Sequence, residues 1–187
     1  MATHPRLTFV LGGARSGKSR YAESVAEAAH NRAAGPSRRL YLATAEAFDR
    51  EMQSRVAEHQ RRRGSDWDTV DVPLELVRTL STLGPTPTVG LLDCVSVWVG
   101  NLLHHERDVD AEVDQLIECV AALRARDELT LVVVGAETGL GIVPDNALAR
   151  RFRDGSGRLN QRLAAMADRV VWVAAGIPVT IKDTTNH

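Results

Sequence analysis

The residues best suited to chemistry form one short segment near the amino terminus. The sequence GGARSGKS covers Gly12–Ser19, directly after the apolar run Leu7–Leu11. It matches G-x-x-x-x-G-K-[ST], a pattern whose glycines let successive backbone N–H groups face one phosphate. In such a loop the lysine reaches the β- and γ-phosphates and the hydroxyl that follows it binds Mg²⁺. The segment therefore predicts a nucleoside triphosphate site rather than a plain glycine-rich turn at the start of a helix.

Every residue of the loop is a candidate for contact with phosphate, and Lys18 is also a candidate catalytic residue. The predicted phosphate-binding residues are Gly12, Gly13, Ala14, Arg15, Ser16, Gly17, Lys18 and Ser19. Lys18 and Lys182 are the only lysines among 23 basic residues. Because the planar fork of arginine is too bulky for the inside of such a loop, chemistry best explains a lysine at position 18.

A carboxylate is also expected near Mg²⁺, and Asp93 is the candidate. It closes the apolar run Val89–Leu92, and the end of a neighbouring strand is where such loops find their acidic partner. The alternative is that Asp93 is the N-cap of the helix predicted over Val95–Leu103. The spacing favours neither interpretation over the other.

A third candidate lies on a predicted basic helix over Phe48–Arg63, where His59 shares one face with Met52 and Val56. The helix ends in Gln60-Arg61-Arg62-Arg63 before Gly64, a typical stop signal. His59 could be a half-buried histidine beside a solvated arginine cluster, which spacing alone favours. It could instead be a nucleophile on phosphorus, with the arginines beside the phosphates.

The elements that must position these residues alternate between short apolar runs and longer amphipathic stretches. The clearest helix pattern is Asp110–Arg126, and another helix is predicted from about Lys18. Runs without polar alternation are typical of parallel strands buried on both faces. The pattern predicts one α/β domain over residues 1–187, with a mostly parallel sheet flanked by helices. The predicted strands are Leu7–Leu11, Leu40–Ala43, Val89–Asp93, Leu129–Val134, Val170–Ala174 and Val179–Ile181.

The composition excludes several classes of protein. With 23 basic and 24 acidic side chains, the net charge of −1 gives no overall attraction to nucleic acid or to an anionic membrane. Aromatic residues make up only 4%, too few for platforms that stack single-stranded bases. Cys94 and Cys119 form no C-x-x-C pair. No apolar run is long enough to span a bilayer, and no leader-like segment is visible. These features predict inert thiols and a cytoplasmic location.

Several longer segments of the chain resemble one family, the bifunctional adenosylcobinamide kinase/adenosylcobinamide-phosphate guanylyltransferases. The resemblance runs from about Leu7 to Lys182, and it implies a P-loop NTPase-like fold. The phosphate-binding loop is a general motif, whereas GGARSGKSR together with GIVP and RD-x-x-G-x-x-NQR is specific. The segments are GGARSGKSRYAE, YLATAEAFDREM, EHQRRRGSDW, LLDCVSVWVGNLL and GLGIVPDNALARRFRDGSGRLNQRLA.

The resemblance implies two reactions of coenzyme B12 biosynthesis. GTP, or ATP, first phosphorylates adenosylcobinamide; GTP then donates GMP to that phosphate through a covalent guanylyl-histidine, with loss of pyrophosphate. His59, eight residues before Trp67, matches the family's histidine. Mg²⁺ at Ser19 and Asp93 is predicted by the loop motif and the strand-end carboxylate. The resemblance also implies a homotrimer. Besides the loop, the implied GTP contacts are Ala43, Thr44, Ala45, Gln60, Arg61, Arg62, Arg63, Asp71 and Asp93.

The carboxyl-terminal segment allows two interpretations. The segment 139–144 is predicted to be a loop, after which Asp145 or Asn146 can cap a helix that contains Gly155 and Gly157. Each glycine costs a helix about 1 kcal/mol relative to alanine, so close packing or a nearby ligand is expected there. The arginines of this stretch, Arg150, Arg151, Arg153 and Arg158, could contact a corrinoid or another subunit, or could form a solvated face.

Two other functions remain as alternatives. The first is a P-loop small-molecule kinase in which His59 has only a structural role. The second is a GTP-dependent switch, but such proteins commonly read guanine with Asn-Lys-x-Asp. Neither Lys18 nor Lys182 follows an asparagine, so that motif is absent from the sequence.

Overall fold

The computed structural model describes residues 4–33, 35–46, 66–84, 86, 88–125 and 129–185. Within these ranges a seven-stranded sheet has the order β3-β2-β4-β5-β1-β6-β7. Strands β1 to β6 are parallel to their neighbours, and β7 is antiparallel to β6. The strands are β1 Leu7–Gly12, β2 Arg38–Ala43, β3 Asp68–Asp71, β4 Thr88–Asp93, β5 Leu129–Ala136, β6 Arg169–Ala174 and β7 Ile177–Asp183.

Five helices are described in the same ranges, and they cover the two faces of the sheet unequally. They are α1 Lys18–Arg32, α2 Leu76–Ser81, α3 Val95–His104, α4 Val109–Arg124 and α5 Ala147–Met166. Helix α1 packs on one face, where Ala22 and Ala26 meet Val10 and Val134. Helices α2 to α5 pack on the other face. The central strands are thus buried on both sides, as their continuous apolar runs predict.

Strand β1 shows how the two faces share one sequence. Successive side chains of a strand point to opposite faces, so Leu7 and Phe9 pack towards α2 to α5 while Val10 packs towards α1. Phe9 and Val10 are both fully buried. A mostly apolar run is therefore favoured here, because both faces of the strand are buried; its one polar side chain, that of Thr8, is buried as well.

The predicted α/β fold is confirmed, with differences at its edges. β3 and α2 were not predicted from the sequence, and β7 begins at Ile177 rather than at Val179. β3 is a four-residue edge strand with mostly exposed side chains, so it lacks the apolar signal of a central strand. The helix predicted over Phe48–Arg63 lies outside the described residues.

The two glycines of the predicted carboxyl-terminal helix have different surroundings. Helix α5 runs through both without interruption, and Asn146 is its N-cap, accepting a 3.1 Å hydrogen bond from the N–H of Ala149. A Cβ at Gly155 would lie 3.1 Å from Cγ1 of Val109, whereas a Cβ at Gly157 would meet nothing within 4 Å. Close packing therefore explains Gly155, and no described contact explains Gly157.

Candidate active site

The loop between β1 and α1 forms a compact turn at the carboxyl edge of the sheet. Its backbone is left-handed at Arg15 (φ 55°) and at Gly17 (φ 92°). The N–H of Ser16 donates to the carbonyl of Gly13 at 3.3 Å, and α1 begins directly after Gly17. The amino terminus of α1 thus opens next to the loop, which favours an anion at that point.

Contact with the β6–β7 turn holds the loop in place. The N–H of Gly176 donates a 2.8 Å hydrogen bond to the carbonyl of Ser16. A Cβ at Gly17 would lie 3.3 Å from the Cα of Gly176. Two features therefore favour glycine at position 17, namely the positive φ and the close approach of the β6–β7 turn.

Two side chains of the loop have hydrogen-bonding capacity suited to a phosphate. Nζ of Lys18 donates to the carbonyl of Gly13 at 3.0 Å and has no other described partner. The hydroxyl of Ser16 is buried, and it lacks a hydrogen-bond partner in the described part of the chain. Because a buried polar group without a partner is costly, a ligand oxygen would satisfy it. These residues fit a polyphosphate.

Asp93 ends β4, two strands away from β1, and its carboxylate is held by a neighbouring strand. The hydroxyl of Tyr41 donates a 3.1 Å hydrogen bond to Oδ2 of Asp93. The N-cap of α3 is Cys94, whose Sγ accepts from the N–H of Val97 at 3.4 Å. The N-cap interpretation of Asp93 is therefore wrong, because the capping position belongs to the next residue. The carboxylate is left available for a cation.

The thiol of Cys94 is electrostatically unsuited to be a nucleophile. Burial, and then the nearby charge of Asp93, raise its pKa to about 11. Because the thiolate is the reactive form, this thiol is inert near neutral pH. Burial also raises the pKa of the Cys119 thiol.

The segment directly after β2 is hydrogen-bonded to the segment directly after β4. Thr44 is fully buried, and its hydroxyl donates to the carbonyl of Cys94 and accepts from the N–H of the same residue, both at 2.9 Å. Nδ2 of Asn101 donates to the carbonyl of Thr44 at 2.7 Å. The side chain of Thr44 thus fixes the backbone beside Asp93, while Ala43 and Ala45 are half-buried on either side of it.

Asp71 and Asp93 occupy equivalent places on either side of β2. In the parallel registers, Ala43 pairs with Asp71 on β3 and with Asp93 on β4. Asp71 is exposed at the sheet edge. The remaining predicted site residues, His59, Gln60, Arg61, Arg62 and Arg63, lie outside the described residues.

A cavity of about 840 Å³ opens at the loop, within the usual size range of small-molecule sites. Six of the predicted residues, Ala14 to Ser19, line this cavity, and so does Arg20, which was not predicted. The cavity is not lined by the predicted residues Gly12, Gly13, Ala43–Ala45, Asp71 and Asp93. The lining residues from α3, the end of β5 and α5 were not predicted from the sequence. These are Cys94, Ser96, Val97, Gly100, Asn101, Ala136, Glu137, Thr138 and Phe152.

The position of Glu137 could have been anticipated. It directly follows β5, a strand between β1 and β4, and the carboxyl ends of parallel strands form the ligand-binding edge of such sheets. The lining residues from α3 and α5 carry no such signal, because packing alone brings these helices to the loop. Among the described residues no group of three or more His, Cys, Asp or Glu could hold a metal ion.

The arginines of α5 mostly have partners within the chain. Nη1 of Arg150 donates to the carbonyls of Pro144 and Asp145 at 2.9 and 2.7 Å. Nη2 of Arg158 pairs with Asp110 on α4 at 2.8 Å. Arg153 pairs with Asp154, while Arg151 is exposed. These contacts favour the solvated-face interpretation over a ligand contact.

The order of the sheet and the loop at its carboxyl edge define the class of this protein, an α/β protein of the P-loop-like type. The model of the family described as cobinamide kinase / cobinamide phosphate guanyltransferase matches residues 8–181. The chain belongs to this family.

Three relatives are similar over nearly their full lengths, and all three are named bifunctional adenosylcobalamin biosynthesis proteins. CobP of Pseudomonas aeruginosa is 40% identical over 93% of this chain and 96% of its own. CobU of Salmonella typhimurium is 39% identical over 94% of this chain and 99% of its own. CobU of Escherichia coli is 38% identical over the same shares. In the described part of the chain, no helix is long and apolar enough to cross a membrane.

Proposed function

We propose that this chain catalyses both reactions of its family. It phosphorylates adenosylcobinamide with GTP or ATP, and then transfers GMP from GTP to adenosylcobinamide phosphate. The observation that carries the proposal is the cavity of about 840 Å³ that opens on Lys18 and Ser19. It supports a site where a nucleoside triphosphate and a second substrate meet.

In the kinase step, the loop would bind the triphosphate through backbone N–H groups and through Lys18. The ammonium group of Lys18 would leave the carbonyl of Gly13 and neutralise charge on the transferred phosphoryl group. The hydroxyl of Ser19 and the carboxylate of Asp93 would hold Mg²⁺. When bound, Mg²⁺ offsets negative charge on the phosphates. A site with few protein ligands fits this ion, which keeps several waters and uses substrate phosphates as ligands.

In the transfer step, a ring nitrogen of neutral His59 would attack the α-phosphorus of GTP. The bond from this phosphorus to the bridging oxygen breaks, and pyrophosphate leaves. A phosphate oxygen of adenosylcobinamide phosphate then attacks the guanylyl phosphorus, and the histidine leaves. Two displacements replace one difficult reaction. Arg61, Arg62 and Arg63, beside Gln60, would supply positive charge to the phosphates.

Labelling with GTP that carries a radioactive α-phosphate tests the covalent step. We expect wild type and the control His30→Ala to retain a label that is labile in acid and stable in base. His59→Ala should retain none. His30 lies on α1 and shares a 2.7 Å hydrogen bond with Ser37, outside the cavity. Adenosylcobinamide phosphate formed without any covalent label would instead support a small-molecule kinase with a structural His59.

We also propose a homotrimer and a cytoplasmic location. Ile177, Val179 and Ile181 alternate along β7, the edge strand, with 65%, 50% and 60% of their surfaces exposed. Such an apolar edge supports contact between copies of the chain. Light scattering should give three times the chain mass of 20.4 kDa, and Val179→Glu should lower the observed mass.

A further inference from the structure

Glu137 lies where a proton acceptor for the kinase step would be needed. It follows β5, and its N–H donates a 3.2 Å hydrogen bond to the carbonyl of Gly12, the residue that begins the phosphate-binding loop. Its side chain is half-buried and lines the same cavity as Lys18 and Ser19. Glu137 is therefore attached to the loop by its backbone and faces the space where the triphosphate would end.

Two neighbouring helices hold the backbone at this point. The N–H of Ala136 donates to Oγ of Ser96 on α3 at 2.8 Å. The carbonyl of Ala136 accepts from Nδ2 of Asn160 on α5 at 3.1 Å. Because both polar groups of Ala136 have partners in packed helices, the residue that follows has a well-defined position. Positioned groups of this kind are what general acid–base catalysis requires.

The carboxylate has one oxygen engaged and one without a partner. Oε1 accepts a 2.6 Å hydrogen bond from the N–H of Gly139, which orients the group. Within the described ranges, Oε2 has no hydrogen-bond partner. Among the described residues that line the cavity, Glu137 is the only one with a carboxylate.

We propose that Glu137 is the general base of the kinase step, a role that rests on the proposed function. The hydroxyl oxygen of adenosylcobinamide forms a bond to the γ-phosphorus of the nucleotide. The bond between this phosphorus and the β–γ bridging oxygen breaks, and its electron pair stays on the nucleoside diphosphate. The hydroxyl proton passes to Oε2 of Glu137 and then to solvent.

This role separates the two reactions of the site. The kinase step has a neutral hydroxyl as its nucleophile, so a base must remove a proton. The transfer step has a phosphate monoester as its nucleophile, and such a group carries about −1.5 to −2 charges at pH 7. An oxygen that is already anionic needs no base. Loss of Glu137 should therefore affect the kinase step far more than the transfer step.

The test compares Glu137→Gln, Glu137→Asp and the control Glu118→Gln in the full chain. Glutamine keeps an oxygen that can accept from Gly139, so the loop can keep its shape without a base. Glu118 is an exposed residue of α4 outside the cavity, so its variant controls for loss of one negative charge. Kinase turnover is measured with adenosylcobinamide, and transfer is measured separately with supplied adenosylcobinamide phosphate.

We expect Glu137→Gln to lower kinase kcat by roughly 10² to 10⁴-fold, the usual contribution of a general base. The ratio of transfer rate to kinase rate should rise by a similar factor. Glu137→Asp, which keeps a carboxylate, should retain part of the kinase activity. Glu118→Gln should match wild type in both steps.

Three results would overturn the proposal. One is kinase turnover in Glu137→Gln within about threefold of wild type, far below the contribution of a general base. Another is an equal loss in both steps with weaker GTP binding, which would indicate a structural role. The third is that even wild type forms no adenosylcobinamide phosphate. This result would contradict the proposed kinase function itself, whereas the first two results would contradict only the role of Glu137.

Discussion

The hydroxyl of Tyr41 on β2 donates a 3.1 Å hydrogen bond to Oδ2 of Asp93 at the end of β4. Tyr41 is itself buried and packs edge-on against Trp67, with ring centroids 6.3 Å apart. The carboxylate at the proposed Mg²⁺ site is therefore oriented from the core of the protein. A partner of this kind restricts the directions in which the carboxylate can meet a cation.

The Mg²⁺ dependence of activity should report this arrangement. Tyr41→Phe removes the orienting hydrogen bond, and we expect it to raise the Mg²⁺ concentration for half-maximal activity about tenfold, as loss of an outer-shell partner does. Asp93→Asn removes the charge and should raise it further. The control is Tyr21→Phe at the other tyrosine of the chain. Equal Mg²⁺ titrations for Asp93→Asn and wild type would contradict the assignment.

The two lysines provide a matched pair for testing the loop. Lys18→Ala should weaken GTP binding by about 100-fold or more, because a compact positive charge at the phosphates is lost. Lys182→Ala removes the same side chain from β7, where Nζ bonds the carbonyls of Ala164 and Ala165 at 2.9 and 2.7 Å. Calorimetric titration of GTP into both variants measures the difference. Similar GTP affinities of the two variants would mean that the phosphates bind elsewhere.

The two glycines of α5 should respond differently to the same substitution. Gly157→Ala meets open space, and the gain in helix propensity should raise the free energy of unfolding by about 1 kcal/mol. Gly155→Ala brings a Cβ to 3.1 Å from Val109, so crowding offsets that gain. Urea denaturation should rank Gly157→Ala above Gly155→Ala. The reverse order would mean that α5 packs differently on α4.

Acid stability should depend in part on Asp183. Hydrogen bonds from Thr185, and then from Arg169, lower the pKa of Asp183 from 3.8 to about 2. A lowered folded-state pKa contributes stability above the unfolded value, and this contribution is lost as the pH falls through the folded value. The Tm difference between wild type and Asp183→Asn should therefore be constant above about pH 4 and should shrink towards pH 2. Asp145→Asn is the control, and a constant difference down to pH 2 would contradict the assignment.

The central elements of the fold could be predicted because each carries its signal locally. β1, β4 and β5 are mostly apolar and lack the polar alternation of a half-exposed strand. α4 repeats its apolar residues at helical spacing up to Leu123. It begins one residue before the start of the predicted helix and ends two residues before the predicted end. β3 could not be predicted, because an exposed strand of four residues is defined by its pairing with β2 rather than by its composition. The short helix α2 could not be predicted from its composition either.

For the site, the sequence alone predicted the phosphate-binding loop and its lysine, since a contiguous motif carries its geometry in its spacing. Only the tertiary structure decided which partners surround the loop. It made Cys94 the cap of α3, and it brought Tyr41 to Asp93 and Glu137 to Gly12. Tyr41 lies 52 residues from Asp93, and only the order β2-β4-β5-β1 makes such residues neighbours. Contacts across a sheet depend on strand order and register, which no local pattern of residues records.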